Sequence, residues 1–120
     1  MATDTTVLVV EDEILVAMDL EMTLEENGFR VLKAPNADKA LELLEAHNEI
    51  QLIITDIDMP GSMDGLRLAA AVSDRWPPTR IILVSGHRMV GVADIPDGSL
   101  FFSKPYRHAD ILSSMRELLR

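Results

Sequence analysis

The stretch Leu52-Ile53-Ile54-Thr55-Asp56-Ile57-Asp58-Met59-Pro60-Gly61 decides how this chain is read. A β-branched apolar run enters two carboxylates and stops at a proline, which cannot donate to a strand ladder. Burying a carboxylate is costly unless a cation or hydrogen bonds compensate. Acids at the mouth of a hydrophobic strand therefore point to chemistry before stability, and the reading turns on what other segments meet them there.

Working outward, the same kind of run recurs. Thr6 to Val10, Arg30 to Leu32, Leu52 to Thr55, Arg80 to Val84 and Leu100 to Phe102 read as five strands. Helix-period stretches separate most of them. Ile14 to Glu26 repeats apolar residues at Val16, Leu20 and Leu24, Ala37 to Ala46 at Ala37, Leu41 and Leu44, and Asp110 to Leu119 at Ile111, Met115 and Leu118. Gly28 stands where the first helix wants a C-terminal cap, Asn36 is an N-cap for the second, and Pro77-Pro78 closes the third after Trp76. Strands alternating with helices predict an α/β fold with parallel strands joined by right-handed crossovers. The expected architecture is a single doubly wound five-stranded sheet, flavodoxin-like, in the order 2-1-3-4-5.

Composition bounds the function. With 120 residues and 48% apolar content, one domain spanning 1–120 is expected. The chain has no cysteine, which removes disulfides and thiolate metal sites. No run approaches the ~18 apolar residues of a membrane span, and no basic-then-apolar leader opens the chain, so a cytoplasmic protein without membrane association is expected. The net charge of -9 repels phosphate backbones, which argues against direct nucleic-acid binding.

In an open parallel sheet, ligands bind beyond the carboxyl ends of the strands. Strand one runs into Glu11-Asp12, strand three into Asp56, strand four into Ser85 and strand five into Lys104-Pro105, while strand two ends on Ala34-Pro35. Three carboxylates brought together call for a cation, and an oxygen-only donor set suits Mg²⁺. A carboxylate is also a competent nucleophile toward phosphorus. Lys104 can then supply positive charge to the transferred group and the Ser85 hydroxyl a hydrogen bond. Blander readings exist for each position: helix-start acids for Glu11 to Glu13, turn residues for Asp56 and Ser85, a solvated lysine for Lys104. Their coincidence at four strand ends favours the chemical reading.

These residues resemble the receiver domains of two-component response regulators. The resemblance rests on Val7 to Glu13, Ile54 to Pro60, Met63-Asp64-Gly65, Ile82 to Gly86 and Phe102 to Tyr106, in that order along nearly the whole chain. It implies that Asp56 accepts a phosphoryl group from a histidine kinase or histidine phosphotransfer protein. It further implies that Glu11, Asp12, Asp56 and the backbone carbonyl of Asp58 hold Mg²⁺, and that Ser85 and Lys104 bind the phosphoryl group. Lys104-Pro105 falls at a family position that usually has a cis peptide, Phe101 at an aromatic whose rotamer usually reports phosphorylation, and Asp58 and His87 at positions that influence phosphoryl lifetime. Such a domain is a switch rather than an enzyme, acting on a downstream protein target, with homodimerisation a further possibility. Because the chain ends with the fifth helix, a stand-alone receiver without an output domain is expected.

Three departures from the family pattern bear on output. Ser62 lengthens the loop beside Asp56, and Gly86 replaces a common alanine. Between Ser85 and Lys104, the segment His87 to Pro96 contains Gly91 and Pro96, which cost about 1 and 3 kcal/mol in a helix interior, so a short or irregular fourth helix is expected. The first helix carries a second apolar row, Ile14, Met18 and Met22, that is either a substitute contact surface or simply edge-of-core or isolated surface residues. Two other functions stay open: a haloacid-dehalogenase-like phosphohydrolase, from the superficial likeness of Asp56-Ile57-Asp58 to its acid pair, and a degenerate receiver acting only as a binding module. Pro60 stands where the hydrolase expects Thr or Val, and the complete acid, hydroxyl and lysine set argues against degeneracy.

Overall fold

The computed structural model describes residues 5–61, 63–87 and 89–120, so Ser62 and Arg88 lie outside it. Five strands, β1 (Thr6–Val10), β2 (Arg30–Ala34), β3 (Ile50–Asp56), β4 (Arg80–Ser85) and β5 (Leu100–Ser103), form one sheet. Their order is β2-β1-β3-β4-β5 and every pairing is parallel, as the alternation of strands and helices requires. Four helices connect them: α1 (Ile14–Glu26), α2 (Ala37–Ala46), α3 (Gly65–Arg75) and, after β5, α4 (His108–Leu118). Among the described residues, the crossover from β4 to β5 carries a 3₁₀ turn, Val92–Asp94, where Gly91 and Pro96 predict a short or irregular helix.

Alternation along the strands sorts the side chains into two cores. Leu8, Val10, Ile53 and Leu83 face Ala37, Ala40 and Leu44 of α2 and Leu68, Ala69 and Val72 of α3. Val7, Val9, Ile54, Ile82 and Val84 face Leu20 and Leu24 of α1 and Ile111 and Met115 of α4. The inner strands β1 and β3 are almost wholly buried, as near-continuous apolar runs covered on both faces must be.

Local chemistry sets the element ends. Asn36 caps α2 by accepting from the Lys39 N–H, and Gly28 follows α1 at φ +90°, the left-handed conformation that ends a helix cheaply only in glycine. Asp64 caps α3 by accepting from the Arg67 N–H at 3.0 Å. The inward faces of the helices differ slightly from the expected stripes. Ala17, Ala40 and Leu112 are buried, whereas Val16, Leu41 and Leu118 are only half-buried. Small alanines let α1 and α2 lie close on the sheet, which turns the larger neighbours toward the margin of the contact.

The strands also run further than their apolar residues suggest. β3 begins at Ile50, which pairs with Thr6, and ends on Asp56, which pairs with Val84. β4 and β5 end on Ser85 and Ser103, again a matched pair. The strand ends are tied further by the Glu11 N–H on the Ala34 carbonyl, the Ile57 N–H on that of Val84 and the Lys104 N–H on that of Ser85. Register thus brings Glu11 after β1, Asp56 and Ser85 at the ends of β3 and β4, and Lys104 after β5 to one edge of the sheet.

Candidate functional site

At that edge a cleft of about 350 Å³ is lined by Asp12, Glu13, Asp56, Asp58, Gly86, His87 and Lys104. Asp56, the last residue of β3, is 4% exposed and Glu11, just past β1, is 7% exposed, so both carboxylates are largely cut off from water. The Lys104 ammonium donates to Asp56 Oδ2 at 3.0 Å and to Glu11 Oε1 at 3.1 Å, joining the ends of three strands. Glu11 Oε2 accepts from the Glu13 N–H at 3.2 Å, and Asp56 Oδ1 accepts from the Asp58 N–H at 3.2 Å.

One ammonium serves two buried acids, and the electrostatics register the shortage. Desolvation lifts the Glu11 carboxyl above the usual glutamate range, although the hydrogen bonds from Glu13 and Lys104 pull the other way. Burial also works against the charged form of Lys104, but its hydrogen bonds to Asp56 and Glu11 outweigh it and raise the lysine pKa above its ordinary value. Carboxylate oxygens of Glu11, Asp12 and Asp56 lie within 4.8 Å of one another. Asp12 is the exposed member, open to solvent beside two buried acids. Such a set, all hard oxygens with more negative charge than one lysine balances, fits Mg²⁺.

Ser85 is 1% exposed at the end of β4. Its hydroxyl donates to Asp58 Oδ2 at 2.5 Å and accepts from the His87 N–H at 3.2 Å. Glu11, Asp12, Asp56, Asp58, Ser85, His87 and Lys104 therefore come together as their positions at the strand ends predict. Phe101 does not join them: it sits mid-β5 in register with Leu83, half-buried against the core under α2 and α3. The Lys104-Pro105 peptide is cis.

Gly65 is a site residue that the sequence did not single out for its own role. A Cβ there would fall 2.2 Å from the Asp56 carbonyl oxygen and 2.6 Å from Ile57 Cα, both backbone atoms. The Gly65 N–H instead donates to the Ile57 carbonyl at 2.9 Å, which docks the first turn of α3 on the chain carrying Asp56. Its place in Met63-Asp64-Gly65 was visible, but the backbone approaching it was not. A larger hollow of about 480 Å³, lined in part by Ile50, Trp76, Thr79 and Arg80, lies by the opposite strand ends and gathers no comparable acids.

A doubly wound α/β domain whose strand ends hold three acids against one lysine defines a narrow class of protein. The chain belongs to the response regulator receiver domain family, which it matches over residues 7–116. It is 31% identical over 118 residues to the sensor kinase CckA of Brucella abortus (strain 2308), covering 95% of this chain and 12% of that protein. It is 34% identical over 88 residues to a putative response regulator, NtrX-like, of Rickettsia bellii (strain RML369-C), covering 72% of this chain and 18% of that one. The chain thus corresponds to a small part of these longer relatives. Among solved structures, a response regulator receiver protein from Sinorhizobium medicae WSM419 superposes with a TM-score of 0.88 at 30% identity, covering 99% of this chain and 97% of that one. Receiver domains are signalling components of two-component systems. Among the described residues, no helix is long and apolar enough to cross a membrane.

Proposed function

We propose that this domain is a Mg²⁺-dependent phosphoacceptor that takes a phosphoryl group on Asp56 from a histidine kinase or histidine phosphotransfer protein and relays the change to a downstream protein. The observation that carries the reading is the pairing of Asp56 with Lys104 at 3.0 Å beside the Glu11 and Asp12 carboxylates. Glu11, Asp12, Asp56 and the Asp58 carbonyl would hold the ion, which when bound supplies charge compensation for phosphoryl transfer.

A carboxylate oxygen of Asp56 attacks phosphorus, forming the acyl phosphate, while the bond from phosphorus to the donor imidazole nitrogen breaks and its electron pair stays on nitrogen. The buried position of Asp56 limits competing water, and the Asp58 N–H orients its carboxylate. Lys104 then pairs with a phosphoryl oxygen, and the Ser85 hydroxyl donates to another. Phe101 would report the resulting state through the core under α2 and α3, and Asp58 and His87, which flank the cleft, would set the lifetime of the acyl phosphate.

Ile14 and Leu15 open α1 directly after Asp12 and Glu13, and their side chains are 74% and 79% exposed. With Met18 and Met22, also exposed, they offer the phosphodonor protein an apolar contact beside the cleft. A cytoplasmic setting agrees with this role. Acetyl phosphate with Mg²⁺ should add one base-labile phosphate to the intact protein and none to Asp56→Asn. Multiple turnover of phosphoesters would favour a hydrolase, and absence of any adduct a binding module.

A further inference from the structure

Asp58 does more in this site than border it. A serine hydroxyl has one proton and can donate it to one acceptor at a time. Here that proton goes to Asp58 Oδ2 at 2.5 Å, a short, charge-assisted bond. The same hydroxyl oxygen accepts from the His87 N–H at 3.2 Å, at the start of the connection from β4 to β5. Asp58 is itself anchored beside the acceptor, since its N–H donates to Asp56 Oδ1 at 3.2 Å.

We infer that Ser85 is a two-position hydroxyl whose resting acceptor is the Asp58 carboxylate, so that Asp58 is a positioning residue that competes with the phosphoryl group for the Ser85 proton. The inference rests on the phosphoacceptor reading of Asp56 and deepens it. When a phosphoryl group arrives, its oxygens must draw the Ser85 proton away from an anionic acceptor, which lowers phosphoryl affinity. The swing of the hydroxyl also changes the acceptor seen by the His87 N–H. That links the exchange to the segment beyond Ser85, where Val90 and Ile95 pack on the core and Met89 and Val92 are 88% and 86% exposed. Asp58 thus sets the threshold at which this segment responds.

The inference separates hydroxyl competition from the simple charge of Asp58. Asp58→Ala removes both acceptor and charge, whereas Asp58→Asn removes the charge and keeps an amide oxygen for Ser85. The apparent affinity for beryllofluoride, a phosphoryl mimic, is measured with saturating Mg²⁺ in both variants, alone and combined with Ser85→Ala. Asp58→Ala should tighten binding by about tenfold, the scale of one hydrogen bond to a charged group, and Asp58→Asn by clearly less. In the Ser85→Ala background the two should become equal, and the His87 amide resonance should no longer move on binding. Equal gains from Ala and Asn with Ser85 present, or no gain from Ala, would overturn the exchange. If the unmodified protein takes up neither beryllofluoride nor phosphate from acetyl phosphate, the phosphoacceptor reading falls and this inference with it. Normal uptake with equal gains would remove the exchange alone.

Discussion

The crossovers on either side of β4 start from the same kind of place and are built differently. The chain from β3 to β4 leaves Asp56 and forms the 11-residue α3, which buries Leu68, Ala69 and Val72 and docks through Gly65 onto the backbone of Asp56 and Ile57. The chain from β4 to β5 leaves Ser85 and forms a 3-residue 3₁₀ turn in which no residue is buried. Among the described residues of this connection, half-buried Val90 and Ile95 pack on the core. Asp56 thus sits on the fixed side of the site and the Ser85 hydroxyl at the root of the lightly held side. Little free energy is needed to rearrange the second connection, whereas disturbing the first would disturb Asp56 itself.

The contrast can be broken most severely at Leu68, which is fully buried. Leu68→Ala should cost about 3–5 kcal/mol in urea unfolding, and a value under about 1 kcal/mol would mean that α3 is not the fixed element. Gly65→Ala should cost about 3 kcal/mol, because its Cβ meets backbone that cannot turn aside. It should also slow phosphorylation, and retention of full stability and rate would show that the docking of α3 is slack. Mg²⁺ at roughly a hundred times its Kd should add about 2.7 kcal/mol. Hydrogen-exchange protection should then rise at the ends of β1 and β3 and not over residues 89–95, and Asp12→Asn should lose much of the gain. On the lightly held side, Val92→Ser should shift stability by less than about 0.5 kcal/mol, since that side chain is already in water. A larger loss would show that the 3₁₀ turn packs on something in solution.

Much of this was readable in the residues because topology does the gathering. A parallel sheet sends every strand's carboxyl end to one edge, so Glu11, Asp12, Asp56, Ser85 and Lys104 could be brought together without knowing a single distance. Gly91 and Pro96 likewise announced the short, irregular turn between β4 and β5 through backbone cost alone. What stayed hidden depended on close approach. Nothing in Met63-Asp64-Gly65 says which backbone presses on the glycine, and the Ser85 to Asp58 bond is a rotamer choice between residues on different strand ends. The inward face of α1 centres on Ala17 instead of Val16 for the same reason, since helix period fixes a stripe only to within a neighbour. Ile14, Met18 and Met22, the second apolar row of α1, are exposed instead of forming the edge of the core, which leaves them available for contact.

The proposed phosphoryl acceptor is Asp56, in an acid cluster completed by Lys104. Borohydride reduction of the protein after treatment with acetyl phosphate and Mg²⁺, followed by peptide sequencing, tests it directly, because an aspartyl phosphate is reduced to homoserine. Homoserine at position 56 alone, absent without Mg²⁺ and strongly diminished in Lys104→Met, is the predicted result. Homoserine at Asp12 or Asp58 instead, or at no position, would contradict it.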